Sequence, residues 1–141
     1  MRHVVAPNDC LESIQNAWAE ALREPHGQKR MALLGHLAET TEALAHQHPQ
    51  DAKVHVWLGI VLSGYARQLG GLCALQLLER ARQALETALN LNPKDGLAHL
   101  YLGLLYEKAP EAPFGFGDEK KAKLLLQKGL ALTRSTQARA A

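Results

Sequence analysis

A spaced signature occurs twice in this chain, 44 positions apart: Pro49, Asp51, His55, Leu58 and Gly59 recur as Pro93, Asp95, His99, Leu102 and Gly103. Glu42 likewise returns as Glu86. Self-similarity at a spacing of a few tens of residues means that one supersecondary unit is used more than once, each copy burying its apolar face against the next. That requirement restricts the fold more than any single-residue motif does, because it dictates packed neighbours rather than an isolated core.

The stretches around the signature carry helical periodicity. Leu11, Ile14, Trp18 and Leu22 recur at spacings of three and four, as do Met31, Leu34, Leu37, Thr41 and Leu44. The breaks between periodic runs have mechanisms. Pro49 and Pro93 stop one helix, and Asp51 and Asp95 are placed to cap the next. Six helices are expected, over about 9–23, 28–47, 51–68, 72–91, 96–108 and 118–133, with Asn8 or Asp9 capping the first. Val54, Trp57, Leu58, Val61, Leu62 and Tyr65 are core candidates on the third, and Leu77, Leu78, Ala81, Leu85 and Ala88 on the fourth. Gly70-Gly71 should break the chain between them. The composition agrees: aromatics are only 5% while Leu and Ala supply most of the apolar residues, which favours close-packed helices over a sheet. At 141 residues the chain suits one domain, with an N-terminal helix pair (9–48), two further pairs (51–91 and 95–133) and a fraying tail (134–141).

The formal charge of +2 arises from 16 basic and 14 acidic residues that alternate rather than cluster, so no nucleic-acid partner is expected. Cys10 and Cys73 have neither the spacing of a zinc knuckle nor that of a disulfide framework. No apolar run reaches the length of a spanning helix, and residues 1–7 lack a signal-peptide core. No membrane insertion is expected. A cytoplasmic location fits the chain as written, and a periplasmic one fits if it is a mature or trimmed form.

The repeated segments resemble tetratricopeptide repeats. The likeness rests on the Leu58-Gly59 and Leu102-Gly103 pairs midway along a first helix and on Leu62 and Tyr106 near them. Small Ala81 and Ala88 around Leu85 in a second helix, and the closing Pro49 and Pro93, complete it. It covers about residues 38–131. The spacing exceeds the standard unit of about 34 residues by roughly ten, and the surplus falls in 63–72. A second enlargement carries Pro113, Phe114, Gly115, Phe116, Gly117 and Asp118. The two enlargements together are similar to those of a small bacterial branch whose members are often exported and have no assigned activity. The resemblance implies an all-α array of antiparallel helix pairs with a right-handed course and enlarged loops within the repeats. It also implies that the first helix of each pair builds a concave wall, here Lys53, Val56, Ile60, Leu97, Leu100 and Leu104. Such an apolar wall, left open, marks an interaction site. Three occupants stand open: a peptide or helix of another protein, the chain's own N-terminal helices, and a second copy in a homo-oligomer. A small apolar ligand is the rival from a different class.

His55 and His99 occupy equivalent places, with Asp51 and Asp95 one turn earlier, but packing recurrence explains them better than a metal site, which would need more ligands. Phe114 and Phe116 suit an aromatic plug, with Asp118 capping the last helix and ligand contact as the lesser reading. Glycines before a helix start can hold phosphate, yet Asp118 and Glu119 would set negative charge at that point. Ser13, Ser63 and Ser135 lie in no nucleophile elbow. The expectation is a non-catalytic module without metal or cofactor.

Overall fold

Each Pro-x-Asp step opens a helix where the sequence places it. The computed structural model describes residues 7–140, and the side chains of residues 10–135. It contains α1 (Pro7–Arg23), α2 (Gln28–Gln47), α3 (Ala52–Leu69), α4 (Gly71–Leu91), α5 (Gly96–Lys108) and α6 (Glu119–Ala140). Among the described residues there is no strand, and no helix is long and apolar enough to cross a membrane.

The repeated signature acts at the helix starts. Asp51 accepts a hydrogen bond from the Lys53 amide at 3.1 Å, and Asp95 accepts one from the Ala98 amide at 3.1 Å. These bonds satisfy donors that the first turn leaves without an intrahelical partner. His55 and His99 complete the same turns. In each case ring Nε2 lies 2.9 Å from the carbonyl oxygen of the preceding proline, Pro49 or Pro93. A carbonyl can only accept, so Nε2–H donates in both. The recurrence of His is thereby explained by turn closure. Among the described residues no group of three or more His, Cys, Asp or Glu is placed to hold a metal ion.

The repeated glycines act between helices. A Cβ on Gly59 would stand 2.5 Å from Cγ of Leu85, and one on Gly103 would stand 2.9 Å from Cγ of Leu126. In each pair a leucine of the second helix occupies the space a side chain would take, so the two backbones come close. Along α5 and α6 the facing pairs are Gly96 with Thr133, Leu100 with Gly129, and Gly103 with Leu126. Numbers rise on one helix as they fall on the other, so this pair is antiparallel. Short connections impose the same arrangement on the other neighbours. The most extensive packing is α3 on α4, α5 on α6 and α2 on α3.

α3 is the central element. Val54, Val56, Ile60, Val61 and Leu62 are all at most 2% exposed, and Leu58 is at 8%. Ala81, Leu85 and Ala88 of α4 are fully buried against it in one continuous core that extends to Ala98, Leu102 and Tyr106 of α5. The surplus of the first repeat is not the enlarged loop that the resemblance implies but, for the most part, the helix expected over 51–68. Residues 63–69 continue α3, giving it 18 residues against 13 in α5, and α4 runs for 21. Ala66 is buried and Tyr65 and Leu69 pack on the core, so extending the helix gains contacts that a loop would not. Gly70 then ends α3 and precedes α4 directly. With Gly71 it lies at φ near +69° and +66°, a conformation that side chains other than glycine's oppose.

At the chain ends, α6 runs on to Ala140 rather than stopping near Thr133. Residues 134–140 contain no Gly or Pro to end it, and Ala, Arg and Gln favour a helix. α1 begins at Pro7, and the side chains of Asn8 and Asp9 lie outside those described.

Candidate functional site: a cleft at one end of the helix array

The lengthened part of α3 forms one wall of a cleft. It lies where α1, α3 and α5 finish and α2 and α4 begin, has a volume of about 440 Å³, and is partly open to solvent. Leu22 of α1, Leu34 of α2, Ile60 of α3, Leu78 of α4, and Leu104 and Leu105 of α5 give it a mainly apolar lining. Ser63, Gly64, Ala66 and Gly70 supply the space. Gly64 is needed for a further reason: a Cβ there would collide with the Trp18 ring, which lies against α3 at the cleft edge. On the rim His26 Nδ1 is 3.1 Å from Gln68 Oε1, which ties the α1–α2 turn to the end of α3.

The polar groups of the lining are uneven in sign. Arg30, Arg67 and Lys108 border the cleft, and no aspartate or glutamate does. Arg30 donates from Nη1 to the Glu24 carbonyl oxygen at 3.2 Å, while its Nε is buried without a hydrogen-bond partner.

The expected wall of six residues is divided. Lys53 is exposed, Val56 and Ile60 are 2% and 1% exposed, and Leu97 is 40% exposed. Leu100 is half-buried against Gly129 of α6, so it belongs to the contact inside the last pair. Leu104 is also half-buried, and it shares the cleft with Ile60. The reason lies in α3. Because α2 and α4 pack along it and α1 and α5 also reach it, its Val56–Ile60 face has no free side. Only Ile60 and Leu104 of the six come together at the cleft. Trp18 and Leu22 stood out in the sequence only as an apolar helix face, and Arg30, Arg67, Tyr101 and Lys108 did not stand out at all. The available signal was the surplus segment itself, where small residues interrupt a core helix.

The second candidate divides as well. Phe116 packs edge-on to Tyr106, with ring centroids 5.2 Å apart, and the Arg82 guanidinium lies 5.3 Å from its centroid. Asp118 accepts from the Lys121 amide at 3.1 Å and so caps α6. Phe116 is therefore the plug. Phe114 is not, being 78% exposed.

Nearby, Arg82 binds both Glu79 and Glu86, the latter at 2.8 Å. The hydrogen bond from Arg82 holds the Glu79 carboxyl below its ordinary value of 4.5, against the opposing effect of burial.

Compared with known proteins, the chain matches no family model and no curated protein.

Proposed function

We propose that the chain is a non-catalytic binding protein, a short tetratricopeptide-like array that receives the apolar part of a ligand in the cleft between α1, α3 and α5. The observation carrying this reading is the cleft's construction: a space of about 440 Å³ with an apolar lining drawn from five helices. That volume lies within the range of about 300–1,000 Å³ typical of small-molecule sites. A groove for a helix or extended peptide would instead run open along the array, and the burial of Val56 and the packing of Leu100 of α5 against α6 leave little of such a groove. Holding a small apolar ligand is thus favoured over docking a peptide along the first helices.

Trp18 borders the cleft and provides the assay. The chain has two tryptophans, so Trp57→Phe leaves Trp18 as the sole reporter. Titration with decanol should then produce a saturable change in Trp18 emission. Ala74→Phe, which places a ring inside the cleft from α4, should abolish it. A signal that never saturates, or that survives Ala74→Phe, contradicts the reading.

A further inference from the structure

We infer that the ligand of this cleft is an amphiphilic small-molecule anion, an apolar chain ending in a carboxylate, whose charge meets Arg67 and Lys108. The inference rests on the cleft reading above and adds the chemical class of what is bound. Arg30, Arg67 and Lys108 converge from α2, α3 and α5 on one opening. Their convergence is not a consequence of general basicity, since the chain carries only a +2 excess.

Three cations elsewhere among the described residues have carboxylate partners, whereas others, such as Lys53, Lys94 and Lys128, have none. Lys29 pairs with Glu24, Arg80 with Glu42, and Arg82 with Glu79 and Glu86. Among the described residues, none of the three cleft cations has a carboxylate partner. The helix starts at this end repeat the pattern. α2 and α4 are preceded by Gly27 and Gly70 without a side-chain cap. By contrast α3, α5 and α6 are each capped by aspartate.

Favourable placement of a base at a helix C-terminus accounts for one feature only. Arg67 and Lys108 do stand in the last turns of α3 and α5, where the helix dipole favours a cation. It does not explain why acids are missing from the whole lining, nor why Arg30 borders the same opening near the start of α2, where the dipole opposes it. An anion at the opening accounts for the missing acids and for the gathering of the three cations. The apolar floor of Leu34, Ile60 and Leu104 excludes a purely polar anion, which would leave that surface unmatched. An apolar tail fills the floor while the headgroup stays at the partly open rim, where its desolvation is limited.

The test compares decanoate, decanol and decylamine at neutral pH with the Trp57→Phe protein, reading Trp18 emission. Decanoate should bind about tenfold or more tightly than decanol, as expected for charge-assisted hydrogen bonds, with decylamine weakest. In Arg67→Gln/Lys108→Gln the ratio of decanoate to decanol affinity should fall towards one. Equal binding of decanoate and decanol to the parent protein, or a ratio unmoved by the double substitution, overturns the charge assignment while leaving the cleft reading. No binding of any of the three overturns both. A peptide ending in leucine with a free carboxylate, binding more tightly than decanoate, overturns the small-molecule assignment.

Discussion

The account of the repeated Leu-Gly pair makes a prediction in which the sign of a mutation reverses. Placing a methyl group on Gly59 brings it 2.5 Å from Leu85 Cγ, 2.9 Å from Cδ2 and 3.1 Å from Cδ1. The branch point of Leu85 cannot retreat as a flexible chain end would, since the side chain is fully buried in the core. Overpacking of this kind costs about 1–3 kcal/mol. Replacing glycine by alanine within a helix returns about 0.5–1 kcal/mol. Gly59→Ala should therefore lose on the order of 1–2 kcal/mol net. Leu85→Ala alone creates a cavity and should lose about 2–5 kcal/mol. In the Leu85→Ala background the collision is gone, and Gly59→Ala should become stabilising by several tenths of a kcal/mol or more, since the new methyl also fills part of the cavity. Urea denaturation followed by helical circular dichroism measures all four corners of the cycle. Gly59→Ala destabilising by the same amount in both backgrounds would refute the idea that the glycine exists to admit Leu85.

Three further outcomes follow from the placement of other side chains. Leu100→Glu should be destabilised by several kcal/mol, because the carboxylate would replace a side chain lying on Gly129, whereas Leu97→Glu, at a position 40% exposed, should stay within about 0.5 kcal/mol of the parent; thermal melts compare them. Phe116→Ala should lower stability measurably through loss of its contacts with Tyr106 and Arg82, while Phe114→Ala should leave the denaturation midpoint almost unchanged. Glu79 has a folded pKa below its ordinary 4.5, chiefly through the hydrogen bond from Arg82, so its contribution is complete above about 4.5 and is lost as pH falls through the lower folded value; Glu79→Gln should be less stable than the parent near pH 7 by under about 1 kcal/mol, with the gap closing in acid.

Much of the fold was legible because its signals are local. Asp51, Asp95 and Asp118 cap helices within a few residues of where they stand, and Pro49 and Pro93 end the ones before. Periodicity placed Leu34, Leu37, Thr41 and Leu44 on a buried face of α2. The cleft was harder to read because it is assembled from ends of five helices, and nothing in the order of residues sets Leu22 beside Lys108. For the surplus segment 63–72 the resemblance implies an enlarged loop, whereas periodicity carries the helix on to 68, as the structure has it. Gly64 and Gly70 have different roles, one making room for Trp18 within α3 and the other joining two helices without a loop. The wall of first helices is divided for a related reason. A repeat motif gives the position of Val56 along its helix but not the number of neighbours around it, and α3 is covered on every side of its Val56–Ile60 face.

The central claim is that the lengthened α3 and the ends of α1 and α5 form the binding site. Backbone amide NMR of the protein titrated with decanol tests it most directly. The claim predicts that the largest shift changes gather at Ser63, Gly64, Gly70, Ala74 and Leu104, with the Trp18 indole N–H moving among them. Shift changes centred instead on the exposed Leu97, Leu124 and Leu130, or spread without a saturable site, would contradict it.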